Sequence, residues 1–258
     1  MPIRLPTEFM RYMNKVYIDG IGIYPFASSR QIADYAEAHP GILVAVNAEK
    51  ILSQTPLTQA IINRNLGYCD GAGPLMLLHK MGHKEAVKVA GCELWLQLVE
   101  RFHKQKTFYL VGGRQAVIEE TVKKLRLHYP GIRIVGHCNG YLATEADRQA
   151  LLADIVAKRP DVVFVAMGSP RQELLMEEML QRHRAIYQGL GGSFDVYTGH
   201  VRRAPQWWVR HHVEWLYRLI HQPSRIRRQA KLVKFAWWIA SGKYPSENVK
   251  QTYTAHHG

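Results

Sequence analysis

An aspartate that follows a strand and opens a glycine turn can take a proton from a hydroxyl. Asp70 stands in that position, in the segment Tyr68-Cys69-Asp70-Gly71-Ala72-Gly73. Its residue type supports two roles, the cap of the next helix or a general base, and local physics alone favours the cap. A second segment, Ala166-Met167-Gly168-Ser169-Pro170-Arg171-Gln172-Glu173, joins an apolar run to a helical pattern. Gly168 frees the backbone to approach an anion, and Pro170 at the first helical position leaves the next amides exposed. Gln172 then falls one turn into the helix, facing the same mouth; capping alone also explains the pattern. Gly112-Gly113-Arg114 is a third such turn. It suits either anion binding or a tight turn that needs positive φ. Val46-Asn47-Ala48-Glu49-Lys50 supplies a polar Asn47 at a fourth strand end.

These segments need a scaffold that brings strand ends together. Ile42–Val46, Thr107–Val111, Ile132–Val135, Val162–Ala166 and Ala185–Leu190 are short β-rich runs bounded by Gly or Pro. Continuous apolar runs of this kind are strands buried on both faces. Helical patterns over Gln115–His128, Thr144–Lys158 and Pro170–His183 alternate with them. Strand–helix–strand repetition predicts an α/β fold, with a mostly parallel Rossmann-like sheet flanked by helices. Ligands in such sheets bind at the carboxyl ends of the strands, where the four segments fall.

The strand signals stop near residue 200. Residues 1–200 are therefore expected to form the α/β catalytic domain, and 201–258 a basic, amphipathic helical appendage. Pro205 and Pro223 punctuate two expected helices, roughly 206–221 and 224–241. Over this arm Arg202, Arg203, Arg210, Arg218, Arg225, Arg227, Arg228, Lys231 and Lys234 face a single acid, Glu214, with tryptophans interleaved. A basic helix with tryptophans suits an anionic membrane surface. A packed hairpin with a solvated basic face and a nucleic-acid surface are the rival readings.

The 258-residue chain carries a net charge of +13, with 47% hydrophobic and 21% charged residues. That composition excludes global disorder, and the charge implies an anionic partner. Cys69, Cys92 and Cys138 lie far apart, form no C-x-x-C pair and are read as reduced thiols. Met1 to Lys15 has no apolar core, so no signal peptide is expected. The longest aromatic-apolar stretch, Phe235–Ala240, is far short of the roughly 18 residues of a membrane span. His211-His212 lacks further ligands at metal spacing. No dinucleotide fingerprint, P-loop, H-E-x-x-H or D-x-D pair occurs, which argues against a nicotinamide enzyme. Without D-x-D, a diphosphate leaving group would be stabilised by basic side chains and amide dipoles, so neither metal nor cofactor is expected.

Taken in order, these segments resemble the WecG/TagA/CpsF glycosyltransferase family. The matching pieces include Asn47-Ala48-Glu49-Lys50, Asp70-Gly71, Val89-Ala90-Gly91, Gly112-Gly113, Gly140-Tyr141, Gly168-Ser169-Pro170-Arg171-Gln172-Glu173 and Gly191-Gly192-Ser193-Phe194-Asp195. They continue through Thr198-Gly199-His200-Val201, Arg202-Arg203-Ala204-Pro205, Glu214 to Leu219 and Pro223 to Arg228. Asn47 to Lys50, Ala166 to Pro170 and Gln222 to Ile226 read like the subgroup that transfers N-acetylmannosaminuronate in enterobacterial common antigen synthesis; the N-acetylmannosamine subgroup is more distant. The resemblance implies an inverting transfer from a UDP-sugar donor to N-acetylglucosamine on undecaprenyl pyrophosphate, at the cytoplasmic face of the inner membrane. It assigns Asp70 as catalytic base and Asn47 and Gln172 as pocket residues. Gly112, Gly113, Gly168 and Gly191 then belong to the substrate-binding turns. Lys88 stands where many members have arginine, which keeps the charge but loses the bidentate fork. The resemblance also assigns the appendage to membrane attachment, with Arg218, Arg225 and Arg228 reaching substrate phosphates. No nucleic-acid partner is expected, because a pure binding module has no need of strand-end glycine turns.

Overall fold

The computed structural model describes residues 14–201 and 235–241. A six-stranded, all-parallel sheet forms the centre, in the order β4-β3-β8-β7-β5-β6. Its strands are β3 (Ile42–Val46), β4 (Leu66–Cys69), β5 (Thr107–Gly112), β6 (Arg133–Cys138), β7 (Val162–Ala166) and β8 (Ile186–Gly189). An antiparallel hairpin, β1 (Val16–Ile18) and β2 (Ile21–Ile23), precedes it. The chain leaving β2 runs along β4, where Tyr24 N donates to Gly67 O at 2.8 Å, so that edge of the sheet is covered.

Side chains alternate across a strand, so a sheet covered on both sides splits its apolar residues into two cores. Val44, Val46, Val111, Val163 and Val165 face one way. They meet α3 (Pro56–Arg64), α4 (Ala72–Lys80), α7 (Glu145–Lys158) and α8 (Arg171–Arg182) through Ile61, Leu77, Leu152 and Met176. Leu43, Tyr68, Phe108, Leu110 and Phe164 face the other way. They meet α1 (Ser29–Ala38), α5 (Gly91–Phe102), α6 (Gln115–His128) and α9 (Ser193–Thr198) through Ile32, Trp95, Ile118 and Phe194. The expected parallel α/β fold is what forms.

Helix starts follow side-chain chemistry. Thr144 caps α7 in a reciprocal box with Asp147, as its first-turn acids suggested. Asn47 caps the short α2 (Ala48–Leu52), accepting from Lys50 N at 2.8 Å. Pro170 departs from expectation: it is the residue before α8, joined to Ser169 by a cis bond, and the helix begins at Arg171. β6 also begins one residue later than the apolar run, at Arg133, and continues to Cys138.

Residues 235–241 form a further helix, α10, inside the second helix expected of the arm. Phe235 and Trp238 are buried with Val46, Ile51 and Leu77 in one core cluster. Among the described residues, no helix is long and apolar enough to cross a membrane.

Candidate active site

The carboxyl ends of the strands lie level. Val46 pairs with Cys69, Val165 with Gly189, and Gly112 with Ala166. Asn47 and Asp70 are therefore the first residues beyond β3 and β4, side by side. Asp70 N continues the ladder by donating to Val46 O at 2.9 Å. A Cβ on Gly71 would stand 3.6 Å from Cβ of Asn47.

Asp70 is half-buried. It is the cap residue of neither helix beside it: α4 is preceded by Gly71 and α5 by Ala90. The position of a Cβ on Gly91 lies 3.8 Å from Oδ2 of Asp70 and 3.0 Å from Oη of Tyr68. The carboxylate thus sits by the first turn of α5, where the helix dipole favours negative charge. Tyr68 is fully buried beneath it. Burial, then the Asp70 charge, pushes the Tyr68 phenol far up, so it stays neutral. Gln188 Nε2 holds this floor, donating to Tyr68 Oη at 3.4 Å and to Gly91 O at 3.1 Å.

The Cys69 thiol senses both charges of the region. Burial first and Asp70 second push it up to about 12, while Lys88 opposes them. A thiol held so high is protonated and unreactive at neutral pH, and no disulfide joins Cys69, Cys92 and Cys138. Lys88 therefore stands on the Asp70 side of the mouth, next to Val89, whose N–H donates to Cys69 O at 2.9 Å.

The glycines fall into two kinds. Gly112 has φ of +127°, and a Cβ there would lie 2.2 Å from Ala166 O. Its lack of a side chain is what lets β5 and β7 approach. Gly113 N donates to Ala166 O at 3.2 Å, and Gly140 N to Gly113 O at 2.9 Å, tying the ends of β5, β6 and β7 together. Gly168, Gly191 and Gly192 are different: a Cβ on any of them would meet no described residue within 4 Å. Among the described residues, these turns after β7 and β8 border open space.

Gln172 does not open into that space. The residue is only 5% exposed. Oε1 accepts from Gly168 N at 3.1 Å and from Gly191 N at 2.9 Å. Nε2 donates to Oε1 of Glu173 at 3.2 Å. Glu173 in turn pairs with Lys50 Nζ at 2.5 Å, both largely buried. Burial alone would raise the Glu173 carboxyl, but the Lys50 charge and hydrogen bonds from Lys50, Ser169 and Gln172 outweigh it and hold it below the ordinary value. The pair joins the ends of β3 and β7 across β8.

Lys50, Tyr68, Glu173 and Gln188 all lie in segments the sequence singles out, but the sequence gives none of them a role. Lys50 and Glu173 are 123 residues apart, so no local spacing reveals their contact. Arg218, Arg225 and Arg228 lie outside the described residues. Among the described residues, no group of three or more His, Cys, Asp or Glu is arranged to hold a metal ion.

The level strand ends, open glycine turns and a carboxylate at the mouth agree with a match to the family model for glycosyl transferases of the WecG/TagA/CpsF family, over residues 16–248. The chain belongs to this family. It is accordingly a glycosyltransferase, which moves a glycosyl group from a sugar-nucleotide donor to an acceptor. The match runs through the described α/β part and across most of the basic arm.

Proposed function

We propose that this glycosyltransferase moves N-acetylmannosaminuronate from its UDP donor to N-acetylglucosamine carried on undecaprenyl pyrophosphate, with inversion, as in enterobacterial common antigen synthesis. The observation that carries the chemistry is the placement of Asp70. It stands at the carboxyl end of β4, at the N-cap position of neither neighbouring helix, with its carboxylate by the first turn of α5. The open turns after β8 and β7 lie two and three strand spacings away, roughly 10 and 14 Å.

In this reading Asp70 takes the proton from the acceptor hydroxyl. The freed oxygen attacks the anomeric carbon on the face opposite the nucleotide. The bond from that carbon to the β-phosphate oxygen breaks, and UDP leaves with the electron pair. Asn47 orients the sugar. Lys88, and Arg218, Arg225 and Arg228 of the arm, stabilise the diphosphate charge; the Gly113, Gly168 and Gly191 amides are already donated to Ala166 and Gln172 and instead hold the turns in shape. The net charge of +13 suits substrates that are anionic at several points. The arm holds the enzyme peripherally at the inner face of the bacterial inner membrane, each Lys or Arg near an anionic leaflet contributing roughly 1 kcal/mol.

A transfer assay tests the donor. UDP-N-acetylmannosaminuronate and UDP-N-acetylmannosamine are each offered with the lipid-linked acceptor, and UDP release is followed. Preference for the uronate supports the reading; preference for the uncharged sugar moves the enzyme to the other subgroup.

A further inference from the structure

We propose that Gln172 is a positioning residue that sets the two donor-facing turns and does not itself touch the donor; the inference rests on the glycosyltransferase reading of this cleft. A buried side-chain amide offers two donors and an acceptor with two lone pairs. Both lone pairs of Oε1 are taken, one by Gly168 N and one by Gly191 N. One N–H goes to Glu173. With 5% exposure, little of the side chain faces a ligand.

What this single amide joins is specific. Gly168 and Gly191 both have positive φ, at +77° and +60°, and no described residue within 4 Å of where a Cβ would stand. Two left-handed glycines on separate loops have no intrinsic reason to hold one relative position. Gln172 supplies it by accepting from both at once. Through Glu173 and Lys50 the same network reaches α2, whose cap is Asn47. The turns after β7 and β8 and the helix after β3 are thus laced together from behind.

Gly189 makes room for this arrangement. A Cβ there would stand 2.4 Å from Gln172 Nε2 and 3.1 Å from Cε of Met176. Gly189 has an ordinary backbone conformation, so its requirement for glycine comes from Gln172. A methyl group at 189 is a way to displace the amide without altering any polar group.

The experiment uses the full chain labelled with 15N at glycine. Amide exchange of Gly168 and Gly191 is measured without ligand in the wild type, Gln172→Met and Gly189→Ala. Calorimetry then gives UDP affinity for each variant and for the double variant. Both amides are expected to exchange at least 10-fold faster in Gln172→Met and to shift in Gly189→Ala. UDP affinity is expected to fall about 10-fold in each single variant and no further in the double, because both act through one contact. Rescue of slow exchange by Gln172→Glu, which keeps an acceptor oxygen, would add support. Unchanged exchange at both glycines in Gln172→Met overturns the inference, as does a double variant whose loss is the product of the single ones. If the wild type bound no UDP, the donor reading would fail, and the exchange rates alone would still decide the role of Gln172.

Discussion

The ring of Phe235 fills the place where Gly73 has no side chain: a Cβ on Gly73 would lie 2.8 Å from Cε1 of Phe235. Ala48 closes the same notch, with its Cβ 3.5 Å from that point. Phe235 therefore wedges between α2, which Asn47 caps, and α4, which follows Asp70. Lys80 Nζ donates to Ile239 O and fastens α10 from the other side.

The first prediction follows from that wedge. Phe→Ala in a packed core costs about 3–5 kcal/mol. For a chain of this size Phe235→Ala should lower Tm by roughly 10 °C, read by calorimetry. Cutting the chain near residue 200 removes Phe235 and Trp238 together and should cost more. The sequence suggested that residues 1–200 fold without the arm. A truncated chain that melts like the full one would support that independence and deny α10 a part in the core.

The second prediction concerns Lys50 and Glu173. Removing one partner of a buried ion pair costs about 3–5 kcal/mol, because the other charge is left uncompensated. Lys50→Met should show this loss in urea unfolding at pH 7. The Glu173 carboxyl is held below its ordinary value of 4.5. The stability it contributes is thus complete above that value and disappears as pH falls through the lower folded value. In Lys50→Met only the hydrogen bonds from Ser169 and Gln172 oppose burial, and Glu173 takes up a proton more readily. The gap between wild type and variant should therefore shrink as pH falls toward 4. A gap that stays constant would mean the pair contributes no charge term.

The strands and the site differ in how far the sequence reveals them. β3, β5 and β7 are legible because strands covered on both faces must be apolar throughout, as Val162–Ala166 is. The β1–β2 hairpin was missed: Val16–Ile18 and Ile21–Ile23 are three residues each, too short for a pattern. At the site, position was legible and direction was not. The spacing from Gly168 placed Gln172 in the first turn of α8. Which way its amide turns depends on space left by Gly189, on another strand. Gly112 looked like Gly168 in sequence, yet one is filled by the β7 backbone and the other, among the described residues, borders open space.

The third prediction uses that difference between glycines. Gly112→Ala would force a Cβ into Ala166 O at positive φ and should cost on the order of 3 kcal/mol. Gly192 has φ of −103°, and a Cβ there would meet no described residue within 4 Å. As the residue before α9 it tolerates Gly192→Leu at a cost of about 1 kcal/mol. That variant should stay folded but bind UDP at least 10-fold more weakly. Full UDP affinity in folded Gly192→Leu would mean that the open space after β8 does not hold the donor.

The last prediction isolates the base. Asp70→Asn preserves size and removes the proton acceptor, so turnover should fall by roughly 10²–10⁴-fold. UDP affinity should change little, because the open turns after β7 and β8 lie at least two strand spacings away. Neither of the described side chains Tyr68 and Cys69 takes over the proton. Tyr68 beneath it remains a neutral phenol, since burial is the larger reason its pKa is high and the loss of the Asp70 charge leaves burial in place. Cys69 is likewise held protonated mainly by burial. Single-turnover assays with saturating donor separate chemistry from binding. Undiminished turnover in this variant would take the base role from Asp70 and leave it as a charge that steadies the start of α5.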